Sequence, residues 1–307
     1  MVIPFIRDIF ADARTASRPV ISFEFFPTKT PEGERALLEQ TLPALRRLNP
    51  DFCSVTYGAG GGTREKTLAI VDRIQRDHAL TTMAHLTCVN ATRDETRAVL
   101  EDTRARGIRN ILALRGDPPL GGAAPCSDFE YSHQLVQFIR EVGEFSVGVA
   151  GFPEGHIACT EGKHVDWRRL KEKIDRGADF VITQLFFRND DYFQCRDFLA
   201  GLGVSVPIVP GILPILSTAQ IKRFISLCGA ALPVALTAEL ERRGDDDEAV
   251  TQFGIEYASR QCEELLRQGA PGLHFYTLNK ARSATEVLRN LALAGAASHV
   301  STGGANR

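Results

Sequence analysis

The sequence predicts an α/β protein built as a (β/α)8 or TIM barrel, and three observations lead to this prediction. Short apolar segments alternate with amphipathic segments along almost the whole chain of 307 residues. There are eight apolar segments, and most are nearly continuously apolar, as expected for parallel strands covered on both faces. A helical pattern follows nearly every one of them. Eight such units favour a closed barrel over an open doubly wound sheet, which is the alternative fold.

The first half of the chain contains four strand–helix units after a leading helix. Ile6, Ile9, Phe10 and Ala13 suit one face of a short helix within residues 1–18. The first strand is rich in β-branched and aromatic residues, and the helix after it opens at a proline and carries leucines at core-face spacing. The predicted strands are residues 20–25, 52–56, 82–86 and 110–114, and the predicted helices are residues 31–48, 63–77, 92–106 and 131–142.

The second half repeats this pattern and adds two helices before the last strand. Helices 234–242 and 249–267 are expected to decorate the barrel between strands seven and eight. No linker rich in proline, glycine or serine divides the chain, so residues 1–294 form one predicted domain, and the small, polar residues 295–307 form a tail expected to be disordered. The remaining predicted strands are residues 146–150, 180–184, 207–210 and 272–277, and the remaining helices are residues 165–176, 190–199, 218–227 and 281–293.

Composition and charge argue against several classes of protein. The formal net charge of −2 gives no global basic field for nucleic acid. No stretch approaches the roughly 18 apolar residues of a transmembrane helix. The 7 cysteines are scattered and include no C-x-x-C pair, which indicates reduced thiols without a disulfide framework or a zinc site. We therefore expect a cytoplasmic protein that needs no metal.

The ends of the predicted strands carry the candidate site, because active sites of barrels lie at the C-terminal ends of their strands. Glu24 stands between Phe23 and Phe25 in the first strand. If the two phenylalanines face the surrounding helices, Glu24 faces the barrel interior, and burial there would raise its pKa and suit a proton donor. The alternative is a glutamate that faces outward on an alternating strand.

Other strand ends give weaker signals. The glycine-rich residues 58–63 match neither the dinucleotide fingerprint nor the P-loop, and indicate a loop that a ligand can approach closely. Arg115, Gly116 and Asp117 precede two prolines and fit either a site or a surface ion pair. His85 alone would support no more than a hydrogen bond to a ligand. Asp166 and Lys173, seven residues apart on one helix, would ordinarily be taken as solvent-facing.

Seven motifs, in this order, resemble one known family. The chain resembles the methylenetetrahydrofolate reductases in their short bacterial form, over roughly residues 22–282. Each motif is weak alone, but seven in register, each at a strand end, are highly specific. The motifs are Phe-Glu-Phe-Phe-Pro at 23–27, Ser-Val-Thr-Tyr-Gly at 54–58, His-Leu-Thr-Cys at 85–88, Leu-Ala-Leu-Arg-Gly-Asp at 112–117, Ile-Thr-Gln at 182–184, Pro-Gly-Ile-Leu-Pro at 210–214 and His-Phe-Tyr-Thr-Leu-Asn at 274–279.

This resemblance implies a flavoprotein oxidoreductase of one-carbon metabolism and methionine biosynthesis. FAD would bind at the C-terminal ends of the strands. NADH or NADPH would deliver hydride to the flavin and leave, and 5,10-methylenetetrahydrofolate would then enter the same space in a ping-pong reaction. Its five-membered ring would open to an iminium cation, which the reduced flavin converts to 5-methyltetrahydrofolate. Members are commonly homo-oligomers.

The resemblance also assigns roles to individual residues. Glu24 aligns with the general acid that protonates the departing amine, and Asp117 with the carboxylate that contacts the pterin and stabilises the cation. The residues expected to bind substrate are Glu24, Asp117, Gln184, Gln220, Phe224 and Lys280. The residues expected to bind FAD are Thr56, His85, Arg115, Gly116, Asp117, Tyr131, Phe152, His156, Asp166 and Lys173.

Three positions depart from the family pattern. Phe152 stands where tyrosine is usual, Lys280 where an arginine often sits, and Glu172 where a basic residue is common. Lys280 keeps the charge but loses the bidentate fork of arginine. Two rival functions remain: a flavin-free methyltransferase relative and a non-catalytic binder of flavin or folate. Arg115, Asp166 and Lys173 argue against the first rival, and a buried Glu24 argues against the second.

Overall fold

The computed structural model describes residues 3–57, 64–116 and 127–293. Their strands form one sheet in which each neighbouring pair is parallel. The order is β7-β6-β5-β4-β3-β2-β1-β9-β8. The strands are β1 Val20–Phe25, β2 Phe52–Val55, β3 Thr82–Thr87, β4 Asn110–Leu114, β5 Ser146–Gly151, β6 Phe180–Thr183, β7 Ile208–Val209, β8 Gly211–Ile212 and β9 Gly272–Tyr276.

The barrel closes through one chain segment that is divided into two short strands. β7 pairs with β6, and β8, which follows after Pro210 alone, pairs with β9. A proline has no N–H to donate to the ladder, so the segment changes its partner there. The predicted fold of eight strand segments around a barrel is confirmed, although the seventh segment runs two residues beyond the predicted end at Pro210.

The helices surround the barrel, and the predicted helix 31–48 contains an interruption. Its backbone forms a wider π turn at Leu37–Thr41, where the Leu42 N–H bonds to the carbonyl of Leu37. Pro43 follows at once and cannot donate a helical hydrogen bond, which favours such a local rearrangement. The helices are α1 Ile6–Thr15, α2 Pro31–Ala36, α3 Leu42–Arg46, α4 Arg64–His78, α5 Arg93–Ala105, α6 Ser132–Val142, α7 Lys163–Asp175, α8 Asn189–Gly201, α9 Thr218–Cys228, α10 Val234–Arg243, α11 Asp247–Arg267 and α12 Arg282–Asn290.

The lower end of the barrel is filled by apolar side chains and covered by α1. Ile6 is fully buried, and its N–H donates to Asn110 Oδ1 at 2.8 Å, at the start of β4. The Phe10 ring lies 5.6 Å from that of Phe180, inside the barrel. This leaves the opposite end, where the strands finish, as the face on which polar side chains can gather.

The outer face of the sheet and the added helices form two further apolar clusters. Phe23 and Phe25 pack outward under the surrounding helices, as the alternation of β1 predicts. Leu213, Leu240 and Phe253 belong to a cluster beneath α9–α11, on the side where β7 and β8 close the barrel. The apolar cluster beneath α9–α11 supports the upper end of the barrel beside β6 and β9.

Three properties of the described residues bear on classes of function. The six cysteines among them are free thiols. None of their helices is long and apolar enough to cross a membrane. Within the same ranges, histidine, cysteine and acidic side chains form no cluster suited to hold a metal ion.

Candidate active site

Glu24 lies inside the upper end of the barrel, in the orientation that the sequence pattern predicts. It is 5% exposed, and in the sheet it stands between Ser54 of β2 and Tyr276 of β9. Three side-chain atoms approach its Oε2 oxygen at 3.3 Å. They are Ser54 Oγ, His85 Nε2 and His274 Nε2. Burial of a carboxylate is costly, and these three polar neighbours offset that cost.

The electrostatics of Glu24 correct the sequence prediction. Burial alone would raise the pKa of its carboxyl, as expected from its aromatic neighbours. The imidazoles of His85 and His274 more than offset this effect and bring the pKa down to about 2. Glu24 is therefore an anion at neutral pH in the ligand-free protein. The prediction failed because His85 and His274 reach Glu24 from β3 and β9, and β1 itself gives no sign of either.

His274 is held on every side. It is completely buried, and its Nδ1 lies 2.8 Å from Ser22 Oγ. Its ring stacks on Phe52, with centroids 6.2 Å apart, and meets the ring of Tyr276 edge-on at 5.5 Å. The imidazole therefore has one orientation, with Nε2 pointing at Glu24.

The turn after β9 is bound to the end of β1. Thr277 donates from Oγ1 to the Glu24 carbonyl at 2.7 Å. The Asn279 side chain accepts from the N–H of Phe26 and donates to the Phe26 carbonyl, both at 2.9 Å. Asn279 has a φ of 58°, which asparagine tolerates better than most residues. Lys280 follows on the same turn and is exposed.

A close approach of β8 and β9 fixes Tyr276. Its hydroxyl donates to the Thr183 carbonyl at 2.6 Å. Gly211 makes this possible, because a Cβ there would lie 2.2 Å from Thr183 O and 2.7 Å from the Tyr276 ring. Any larger residue at Gly211 would push β8 away from its neighbours.

A second cluster of charged side chains forms at the ends of β4 and β5, around Lys173. The amine of Lys173 donates to the Ala150 carbonyl at 2.9 Å and lies 5.8 Å from the centroid of the Phe152 ring. Phe152 meets His156 edge-on at 4.5 Å. Trp167 secures this loop by donating from Nε1 to the Phe152 carbonyl at 2.9 Å.

The charges of this second cluster do not fully compensate one another. Burial lowers the pKa of Lys173 from 10.5 to about 8, although Asp166 opposes the change. Burial likewise raises the pKa of Asp166, against the influence of Lys173 and His156. The cation of Arg115 also acts on Lys173 and lowers its pKa. A bound anion beside Lys173 would favour the charged amine, so the donor set fits a phosphate-bearing cofactor.

The other residues predicted to bind FAD lie around this cluster or on neighbouring strand ends. Gly116 has a φ of +84°, and a Cβ there would lie 2.6 Å from a methyl of Val89, so only glycine fits without strain. Tyr131 precedes α6 and is 45% exposed. Thr56 is buried after β2. Two predictions, Asp117 and the glycine-rich residues 58–63, lie outside the described residues.

Three of the residues predicted to bind substrate, Gln184, Gln220 and Phe224, lie on the side of the barrel where it closes. Gln184 follows β6, and its N–H donates to the Gly151 carbonyl at 2.7 Å. Gln220 lies in the first turn of α9 and accepts from the N–H of Leu216 at 3.2 Å. Phe224, one turn later, packs on the cluster beneath α9–α11 together with Tyr276.

Ser22, Ser54 and His274 contact the site but were not singled out as site residues in the sequence. The alternation of β1 could have indicated Ser22, which shares its inward face with Glu24. The same alternation in β9 places His274 and Tyr276 on one face. Neither pattern reveals that these strands are neighbours, which follows only from closure of the barrel.

Comparisons with known proteins identify the family. The family model described as methylenetetrahydrofolate reductase matches residues 9–292. The chain is 38% identical to the 5,10-methylenetetrahydrofolate reductase of Escherichia coli over 271 residues, which is 88% of this chain and 90% of that protein. The protein of the same name from Salmonella typhimurium gives the same values.

Plant relatives are longer, and solved structures resemble the chain in fold. Methylenetetrahydrofolate reductase (NADH) 1 of Arabidopsis thaliana is 39% identical over 305 residues, which cover 95% of this chain but 51% of that protein, so the chain spans about half its length. An uncharacterized Clostridium thermocellum protein that binds two copies of 5-methyl-5,6,7,8-tetrahydrofolic acid has a TM-score of 0.56 at 17% identity, over 90% of this chain and 94% of that one. The matched family model and the bacterial relatives show that this chain belongs to the methylenetetrahydrofolate reductase family.

Proposed function

We propose that this protein reduces 5,10-methylenetetrahydrofolate to 5-methyltetrahydrofolate, with NADH or NADPH as the reductant and FAD as the hydride carrier, in two separate half-reactions. Membership of the family supports the reaction. The observation that carries the proposal is the buried carboxylate of Glu24, placed among two imidazoles at the upper end of the barrel. A protein that only bound folate or flavin would have no use for this costly group.

The cluster around Lys173 is the proposed FAD site. A bound FAD would supply the hydride acceptor of the first half-reaction and the hydride donor of the second. Lys173 would bind the pyrophosphate, Asp166 the ribose hydroxyls, and Phe152 and His156 would pack against the cofactor. Arg115 and Gly116 would approach it from the end of β4, with Thr56, His85 and Tyr131 as further contacts. Asp117 is proposed to reach both the flavin and the pterin.

The residues around Glu24 would act on the folate. Opening of the five-membered ring breaks a carbon–nitrogen bond, and the electron pair stays on the departing amine nitrogen. Glu24 passes a proton to that nitrogen, which prevents the ring from closing again. Gln184 would hydrogen-bond the pterin, Phe224 would stack on the folate or nicotinamide, and Lys280 with Gln220 would hold the rest of the substrate at the rim.

Anaerobic spectroscopy tests this function. Purified protein is expected to be yellow, and NADH or NADPH is expected to bleach it. Addition of methylenetetrahydrofolate to the bleached protein is then expected to restore the colour. Protein that stays colourless after incubation with FAD would exclude the flavin reductase. The same experiment decides which nicotinamide is preferred. Assembly into a homo-oligomer and a cytoplasmic location remain predictions.

A further inference from the structure

The proposed reaction takes a proton from Glu24, yet the neighbours of this residue hold it as an anion. A carboxyl with a pKa of about 2 is almost never protonated at neutral pH in the free protein. The proton needed for ring opening must therefore reach the carboxylate from another group when the substrate binds. Buried groups in direct contact with Glu24 are the candidates.

Two imidazoles reach Glu24, and they differ in geometry. His274 Nε2 lies 3.3 Å from Oε2 in a hydrogen-bonding arrangement. His85 Nε2 lies at the same distance as an ion-pair neighbour, but it has no hydrogen-bond partner among the described residues. A proton moves readily only along an aligned hydrogen bond. Of the two, His274 is therefore aligned to share a proton with Glu24.

Ser22 determines which nitrogen of His274 can release a proton. Its hydroxyl lies 2.8 Å from Nδ1 and 3.4 Å from the Leu273 carbonyl. A carbonyl oxygen can only accept, so when the hydroxyl donates to it, the hydroxyl oxygen accepts from Nδ1–H. We assign the proton on Nδ1 from this network. The exchanging proton is then the one on Nε2, which faces Glu24.

We propose that His274 is a positioning residue that stores the proton for ring opening and delivers it through Glu24. Ser22 fixes the tautomer of the imidazole. This inference rests on the proposed function. The N–H bond at His274 Nε2 breaks, and an O–H bond forms at Glu24. That O–H bond breaks in turn as an N–H bond forms on the departing amine. His274 ends neutral, with its Nδ1–H still bound to Ser22, so each bond formed is matched by one broken.

The surroundings of His274 are suited to this exchange. Glu24 faces it from β1, the apolar ring of Phe52 covers it from β2, and His85 of β3 lies across the carboxylate. On its own strand the nearest titratable group is Tyr276, whose pKa burial raises well above the usual value. β8 contributes Gly211 at the paired position, which has no side chain. Glu24, His85 and Tyr276 are therefore the titratable groups that surround His274.

The first test compares variants of His274 in the two half-reactions. His274→Gln keeps an N–H near the position of Nε2 but cannot transfer a proton. We expect oxidation of the reduced flavin by methylenetetrahydrofolate to slow by about 100-fold, while reduction of the flavin by nicotinamide stays at the control rate. The matched control is His78→Gln, at the last residue of α4, which belongs to neither polar cluster. Normal folate turnover in His274→Gln would show that a hydrogen bond suffices, and would overturn the proposal.

The second test does not depend on turnover. Spectra of 15N-histidine-labelled, flavin-bound protein report which imidazole nitrogens carry protons. We expect a proton on Nδ1 of His274 and an exchanging proton on Nε2. We also expect the Nε2 signal of His274 to change in Glu24→Gln, and a mixture of tautomers in Ser22→Ala. A His274 that is protonated only on Nε2, or that ignores both substitutions, would overturn the proposal.

These two tests separate the inference from the function on which it rests. If the wild-type protein is not bleached by nicotinamide, the proposed reductase activity fails, and the labelled spectra still decide whether Glu24, His274 and Ser22 share a proton. If the wild-type protein completes both half-reactions and His274→Gln does so equally well, the reductase stands and the proton store fails.

Discussion

The two polar clusters at the upper end of the barrel treat a buried charge in opposite ways. At Glu24, two imidazoles more than offset the cost of burial, and the carboxylate is ionised. At Lys173, Asp166 offsets only part of that cost, and the pKa of the amine falls to about 8. The first cluster is electrostatically complete without a ligand, whereas the second is not.

This difference indicates how each cluster works. A complete cluster can keep its geometry while substrates come and go, as a site of proton transfer requires. The cluster at Lys173 lacks enough negative charge, and a bound anion would supply it. Binding of such a ligand is therefore favoured, and it also stabilises the fold. The comparison suggests a permanent cofactor at Lys173 and a passing substrate at Glu24.

The largest effect is expected for a substitution of Glu24, which should slow one half-reaction and not the other. Glu24→Gln should slow the oxidation of reduced flavin by methylenetetrahydrofolate by about 100- to 10,000-fold, because it removes the group that transfers the proton. Reduction of the flavin by nicotinamide involves no departing amine and should be unchanged. Stopped-flow absorbance measures both rates. Equal losses in the two half-reactions would contradict the assignment of Glu24 to the folate step.

Both charges should make stability rise with pH, but in different pH ranges. Between pH 8 and 10.5 the unfolded chain keeps the Lys173 proton that the folded chain has lost, so the free energy of unfolding should rise with pH by up to ~3 kcal/mol. Glu24 binds its proton more weakly in the folded state, so stability should fall by up to ~3 kcal/mol as the pH drops from 4.5 to about 2.

Urea denaturation of flavin-free protein across these ranges measures both effects. Glu24→Gln should remove the contribution at low pH, and Lys173→Met the contribution at high pH. If the free energy of unfolding of Lys173→Met still rises between pH 8 and 10.5, the Lys173 amine is not the group responsible. The proposed contrast between the two clusters would then be wrong for Lys173.

Replacement of Lys173 should weaken cofactor binding more modestly. Lys173→Met should reduce FAD affinity by about 10- to 100-fold, since a charge-assisted hydrogen bond to a phosphate contributes about 1.5–3 kcal/mol. The matched control is Lys171→Met on the same helix, where the amine pairs with Asp175 near the surface. Fluorescence titration of flavin-free protein with FAD gives both affinities. A similar loss in the two variants would point to general charge rather than to a site at Lys173.

The smallest effect is expected at the rim. Lys280 is exposed, and exposed charge pairs contribute about 0.2–1 kcal/mol. Lys280→Ala should therefore raise the KM for the folate by at most about fivefold, with kcat unchanged and the effect fading in high salt. Lys280→Arg should bind at least as well as the wild type. A loss in kcat would place Lys280 nearer the reacting atoms than its exposure indicates.

The sequence predicted the barrel and the inward position of Glu24 because both depend on local patterns. The hydrophobic period of two residues in a strand and of 3.6 residues in a helix can be seen within one segment. Eight strand–helix units in a row then leave few possible topologies. The sign of the pKa shift at Glu24 was wrong for the opposite reason. It depends on His274 and His85, which reach the carboxylate from β9 and β3, and no local pattern shows which side chains meet across a closed sheet.

Local irregularities were also beyond the sequence patterns. The π turn at Leu37–Thr41 preserves the leucine face of the predicted helix, so hydrophobic periodicity does not expose it. Pro210 indicated the end of a strand, since proline cannot continue a ladder. Instead the chain changes partner there and continues as β8, which only the requirement for closure explains.

Because of that change of partner, the barrel is least strongly paired along β7 and β8, and this segment forms a weak line in the sheet. β7 and β8 are joined to their neighbours by two residue pairs each, whereas the other neighbouring strands share three to five. Amide hydrogens along β7 and β8 should accordingly exchange with deuterium sooner than those of β3 and β4. Gln184 and Tyr276 flank this line. Two hydroxyls bond across it: that of Tyr276 donates to the Thr183 carbonyl, and that of Thr183 accepts from the Gly211 N–H. We therefore expect the barrel to open first along this line, beside Gln184 and Tyr276, and the longer strands β4 and β5 beside Lys173 to open later.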